Sequence, residues 1–228
     1  MLRLLFALFI MLTLSACSTI RSTKLLAPGW FGFTQISHNV YVDDEMPEDQ
    51  QQDILKTLSF AKKRVSTFFD GLQGSPKVFA CSTEECFISH GGISAKGKAY
   101  GSSMLLLSPR GLNVVIMAHE LSHIELSYRI GTIRTARTIP AWFNEGLAVL
   151  VSEDPRYTEQ AWLEATDYGR KAPDLDDIGG MLGQGSWLLS YGTARRKVDS
   201  WYRQAGHTGL KRLIQEIKDG NDFNESLN

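Results

Sequence analysis

The sequence predicts an α+β domain, and three observations carry that expectation. Short strand-like runs fall in the first half of the chain, and stretches with helical periodicity dominate from about residue 113 onward. The length of 228 residues, 43% of them hydrophobic, suits one compact domain once a signal-like start is set aside.

The elements follow in order. Thr34 to Val42 alternates as a strand does, and Asp49 to Phe69 carries Ile54, Leu55, Leu58, Ala61, Val65, Phe68 and Phe69 at helical spacing. Asp70-Gly71 supplies a helix stop, Lys77 to Cys81 reads as a short strand, and His90 to Gly101 reads as a glycine-rich loop. Met104 to Leu107 is a further strand. After Pro109-Arg110-Gly111 a helix is expected from about Asn113 to Arg129, then a polar connection, then a second helix from Pro140, a residue suited to a first turn. Trp187 to Ala205 and Leu210 to Ile217 are amphipathic, and the end of the chain reads as a frayed polar tail.

Charge excludes one class of function. The 24 basic and 25 acidic residues are mixed along the chain, so there is no basic footprint for nucleic acid. At the N-terminus Arg3 precedes an apolar run, Leu4 to Leu14, that is short for a membrane span and suits a secretory signal. The run ends in Leu14-Ser15-Ala16-Cys17, which resembles the bacterial lipobox. That resemblance implies a signal peptide over 1–16, a lipidated Cys17 opening a tether over 17–29, and a folded domain over 30–228. An ordinary signal peptide with a chance cysteine, or an uncleaved anchor, is the alternative. Ser18 stands where an aspartate would imply inner-membrane retention, which points to the outer membrane, facing the periplasm. Cys81 and Cys86 flank a four-residue loop, and in an exported protein they are either a disulfide or two reduced thiols.

The chemistry lies in two helices. His119-Glu120-Leu121-Ser122-His123 matches H-E-x-x-H between apolar flanks, Val114 to Met117 before it and Ile124 and Leu126 after it. At 3.6 residues per turn His119 and His123 share a face, so both imidazoles can reach one ion, while Glu120 is offset by about 100° and is free to serve as general base. A catalytic zinc site needs a third protein ligand and an open fourth position. Asn144-Glu145-Gly146-Leu147-Ala148 resembles the N-E-G-x-A helix that delivers the glutamate ligand in thermolysin-like and aminopeptidase-N-like gluzincins. Glu145 follows His123 after 21 intervening residues, slightly more than is usual there, which implies a longer loop through Gly131 to Ile139. Gly146 would let the two helices approach closely.

The family resemblance implies a zincin-like metallopeptidase fold: a small N-terminal mixed sheet with one helix, an edge strand near Met104 to Leu107 that pairs with an extended substrate, the active-site helix, the glutamate helix and a helical C-terminal part. It implies Zn2+ as cofactor, His119, His123 and Glu145 as ligands, Glu120 as catalytic base and a peptide or protein as substrate. Some gluzincins carry a tyrosine on a C-terminal helix that donates to the oxyanion. Tyr191 is the candidate here, with a surface-facing tyrosine as the plain reading and His207 as another donor. Glu125 and Glu153 could orient a ligand histidine, although a surface position suits Glu125 better, and His90 could sit near the substrate-lining strand but reads more readily as a bystander. No G-x-M-E-N segment is present to hold a free substrate amine, so endopeptidase action is expected. A zinc-bearing lipoprotein that binds partners without hydrolysis, and a structural lipoprotein without metal, are the other readings. Oligomeric state is not legible in the sequence.

Overall fold

In the computed structural model, which describes residues 21–174 and 187–227, five strands form one mixed sheet. They are β1 (Phe33–Ser37), β2 (Val40–Asp43), β3 (Lys77–Ala80), β4 (Gly97–Tyr100) and β5 (Met104–Leu107), in the order β1-β2-β3-β5-β4. The two inner pairings, β2 with β3 and β3 with β5, are parallel, and both outer pairings are antiparallel. The sheet sits among helices α1 (Glu48–Phe69), α2 (Glu84–Ser89), α3 (Val114–Ile130), α4 (Thr132–Thr138), α5 (Ala141–Ser152), α6 (Glu159–Ala165), α7 (Trp187–Asp219, two helical stretches joined across a kink at Gly206) and α8 (Phe223–Leu227). The proposed signal segment and Cys17 lie outside the described residues. Among the described residues no helix is long and apolar enough to cross a membrane.

Strand alternation divides the core in two. Val78, Ala80, Leu105 and Leu107 face the main core with α1, α3, α5 and α7, while Phe79 and Leu106 point the other way into a smaller cluster with Leu25, Phe33 and Phe87. Helix α1 buries Ile54, Leu58, Ala61, Val65 and Phe69, the i, i+4, i+7 stripe read from its sequence. Its end is held by Asp70 in the left-handed region, one residue before the predicted glycine stop. Helix α3 begins where Asn113 Oδ1 accepts from the Ile116 amide at 3.0 Å, and it runs through the main core.

Several expectations need correction. The single strand over 34–42 is a hairpin, because Asn39 adopts φ 60° and turns the chain between β1 and β2. The glycine-rich loop contains β4, which lies at the edge of the sheet, and Met104–Leu107 is interior, flanked by β3 and β4. The connection through 131–139 is mostly the helix α4. Among the described residues packing begins at the fully buried Leu25, ahead of Trp30, which is 90% exposed. The C-terminal tail is α8, docked by Phe223 against Trp142 and Phe143.

Candidate metal centre

Helices α3 and α5 pack against each other, and their facing turns carry the candidate ligands. The i, i+4 spacing on α3 brings His119 Nε2 and His123 Nε2 to 3.2 Å. Glu145 Oε2, from α5, lies 3.3 Å from the first nitrogen and 3.6 Å from the second. Three such groups repel one another unless a shared proton or a metal cation lies among them. Ligand atoms about 2.0–2.1 Å from a tetrahedral ion stand about 3.3–3.4 Å apart, so this triangle has the size that such an ion requires. Two nitrogens and one carboxylate oxygen are also a donor set suited to zinc.

The surroundings favour positive charge in this triangle. Burial disfavours a protonated His123, yet the Glu145 carboxylate, the Glu120 charge and the contact with Asn144 outweigh it and hold the imidazole up to about 9. Burial likewise raises Glu145, but the two histidines push its carboxyl far below the usual range. His123 Nδ1 donates to Asn144 Oδ1 at 2.9 Å, which orients the ring and leaves Nε2 facing the other donors. In the sequence Asn144 stands only as part of the glutamate motif. Its adjacency to Glu145 on one helical turn was the available signal for this second task.

Glu120 stands beside the triangle without joining it. Its Oε2 accepts from the Ala99 amide of β4 at 3.0 Å. A Cβ on Gly97 would lie 2.8 Å from Glu120 Cγ, so the missing side chain is what lets the strand approach the carboxylate. Tyr191, on α7, completes the wall: its ring centre is 6.4 Å from that of His119, and it stacks on Tyr157 at 5.4 Å. Burial, then the neighbouring charge of Glu145, pushes the Tyr191 hydroxyl well up, so it keeps its proton and remains a donor. Clefts of about 570 and 420 Å³ flank the triangle, and both are lined by Gly97, His119, Glu120 and Tyr191. The first also holds Arg156 and Tyr157, which the sequence did not flag.

The remaining candidates lie elsewhere. His207 contacts the Tyr202 hydroxyl on another face of the molecule and is not beside the triangle. Glu125 is fully buried, and not on the surface: it accepts from the amides of Gln73 and Gly74 at 3.0 and 2.8 Å and from Arg129 Nε at 2.7 Å, fixing a loop remote from the ligand histidines. Glu153 ends α5 and pairs with Arg64. His90 is buried, with Nε2 donating to the Phe31 carbonyl at 3.1 Å. Cys81 and Cys86 form a disulfide, so their position near His90 offers no thiolate pair to a metal. Gly146 does permit a close helix approach, but towards α7 at Ala194 and not towards α3. It is rotated about 100° from Glu145, which uses the α3-facing side.

No family model, curated protein or solved structure matches the chain.

Proposed function

We propose that this chain is a zinc-dependent endopeptidase of the gluzincin type, with a zincin-like fold, held at the outer membrane facing the periplasm by a lipid on Cys17. The observation that carries the reading is the triangle of His119, His123 and Glu145 donor atoms, of tetrahedral dimensions, with Glu120 adjacent but outside it. A zinc ion held by those three residues would polarise a carbonyl and lower the pKa of a water molecule at its open position.

The chain's own residues supply the rest. Glu120 takes a proton from the attacking water and delivers it to the leaving amine, a role that needs a carboxylate close to the ligands but not bound among them. Tyr191 stays protonated and donates to the oxyanion as charge develops there. An extended substrate adds to β4, one of the two edge strands, whose Ala99 amide points away from β5 and is held by Glu120 in the site. The clefts on either side of the triangle accommodate residues before and after the scissile bond.

The test measures bound zinc in the full chain beside Glu145→Ala and His123→Ala, and hydrolysis of an unfolded protein beside Glu120→Gln. Near-stoichiometric zinc that is lost in both ligand variants, with turnover abolished but zinc kept in Glu120→Gln, is the expected result. Folded wild-type protein without zinc refutes the metal site. Zinc without turnover on any substrate leaves a metal-bearing binding lipoprotein in place of the enzyme.

A further inference from the structure

Five large apolar side chains are exposed around the N-terminal turns: Leu26 at 69%, Trp30 at 90%, Phe31 at 41%, Ile88 at 46% and Ile93 at 61%. They form one neighbourhood. The Phe31 carbonyl accepts from His90 Nε2 just beyond α2, the helix that carries Ile88, and Arg21 lines a shallow hollow together with Ile88 and Ile93. Single exposed apolar residues are ordinary, but five gathered on adjoining turns mark a surface that meets something apolar.

Basic groups border the patch. Lys24 Nζ stands 5.9 Å from the Phe31 ring centre, Arg21 lines the hollow, and Arg110 beside it is paired with Glu84 at 2.7 Å, leaving Glu85 as the acidic neighbour on α2. Trp, Phe and Leu edged by Lys and Arg are the composition of a surface that lies in a headgroup layer. The chain is already in helical turns from Arg21, four residues after Cys17, so a lipid there would hold this face within about 14 Å of a bilayer.

We propose that the patch of Leu26, Trp30, Phe31, Ile88 and Ile93 rests on the headgroup layer of an anionic bilayer and holds the metal cleft open beside the lipid surface. The link to the cleft is physical, because Ser94 and Arg110 line both the hollow at the patch and the cleft at His119 and Glu120. Polypeptide segments lying next to a membrane are then the substrates within reach. This orientation rests on the anchor at Cys17 put forward above.

The experiment places the full chain in vesicles of equal parts phosphatidylcholine and phosphatidylglycerol with brominated acyl chains, which quench nearby indoles. Trp30 is one of five tryptophans, so wild-type emission should fall by up to about one-fifth, and Trp30→Phe should abolish that fall. Leu26→Glu with Ile93→Glu alters only exposed side chains and should lift Trp30 out of reach while the protein still floats with the vesicles. Flotation with equal quenching in wild type and Trp30→Phe overturns the patch and leaves the anchor standing. Absence of flotation overturns both. An unquenched Trp30 in a protein that dimerises as concentration rises assigns the patch to a second copy and also overturns the proposal.

Discussion

Replacing Gly146 by alanine tests how α5 is clamped between its neighbours. A Cβ built there stands 2.4 Å from the Ala194 carbonyl oxygen, 2.6 Å from its carbon and 2.9 Å from Val198 Cγ2. Carbon and oxygen settle at about 3.3 Å, so α7 must retreat by roughly 0.9 Å. Backbone cannot rotate away as the end of a side chain can, and overpacking of this kind costs about 1–3 kcal/mol. Alanine recovers about 1 kcal/mol through its better helix propensity, which leaves a net loss of about 0–2 kcal/mol. Tyr191 lies one turn before Ala194 on the helix that must move, so turnover should fall more than stability does, because misplacement of about 1 Å can cost as much as 100-fold. Zinc content should persist, since Glu145 faces α3. Urea unfolding, bound-zinc analysis and peptide hydrolysis read the three effects. Alanine that raises stability by about 1 kcal/mol and leaves turnover intact, as at an open helical glycine, would refute the close approach.

Four further outcomes are expected. Glu125→Ala strands the buried amides of Gln73 and Gly74 and the Arg129 guanidinium, so urea unfolding should show a loss of about 3–5 kcal/mol with the zinc triangle intact. Asn144→Ala removes the orienting partner of His123, and competition with a chelator should show zinc affinity lowered by about 10–100-fold. Burial raises Asp154, but its bonds to Arg156 outweigh this and hold the carboxyl below its ordinary value. The depressed folded-state value makes that contribution fully present above an unfolded pKa of about 3.9 and progressively lost as pH falls through the folded value. Thermal melts of Asp154→Asn should therefore diverge from wild type near neutrality and converge in strong acid. Ala99→Pro deletes the amide given to Glu120 without breaking the ladder to β5, and a proline is tolerated on an edge strand in that orientation. Hydrolysis should fall while far-ultraviolet dichroism stays unchanged; unchanged hydrolysis would remove β4 from substrate binding.

The meeting of His119, His123 and Glu145 was legible because its information is local. An i, i+4 pair of histidines must share a helix face, and Glu145 is marked by its own short motif. The strand order was not, since the edge position of β4 depends on where β5 pairs, and Gly-Lys-Ala-Tyr among glycines has no alternation to read. The hairpin at Asn39 was hidden by apolar alternation that continues across the turn. Glu125 looked like a surface carboxylate because its partners are backbone amides 51 and 52 positions away, which no spacing rule reveals. Gly146 allows a close approach, but of α7 and not of α3, because the sequence does not say which neighbour lies on which side of α5.

One turn of α5 joins the triangle of donor atoms to the packing of three helices. Asn144, Glu145 and Gly146 are consecutive, each turned about 100° from the one before. The first orients His123 on α3, the second closes the triangle, and the third seats α7 against Ala194. A single turn of α5 thus ties the histidine helix to the tyrosine helix, and neither can shift without disturbing the other. An ion held by His119, His123 and Glu145 would stabilise the packed arrangement of α3, α5 and α7 together, because the separated helices of the unfolded chain present no such triangle. Positioning Tyr191 and closing the triangle of donor atoms are for this reason one packing problem, solved on the α3-facing and α7-facing sides of the same turn.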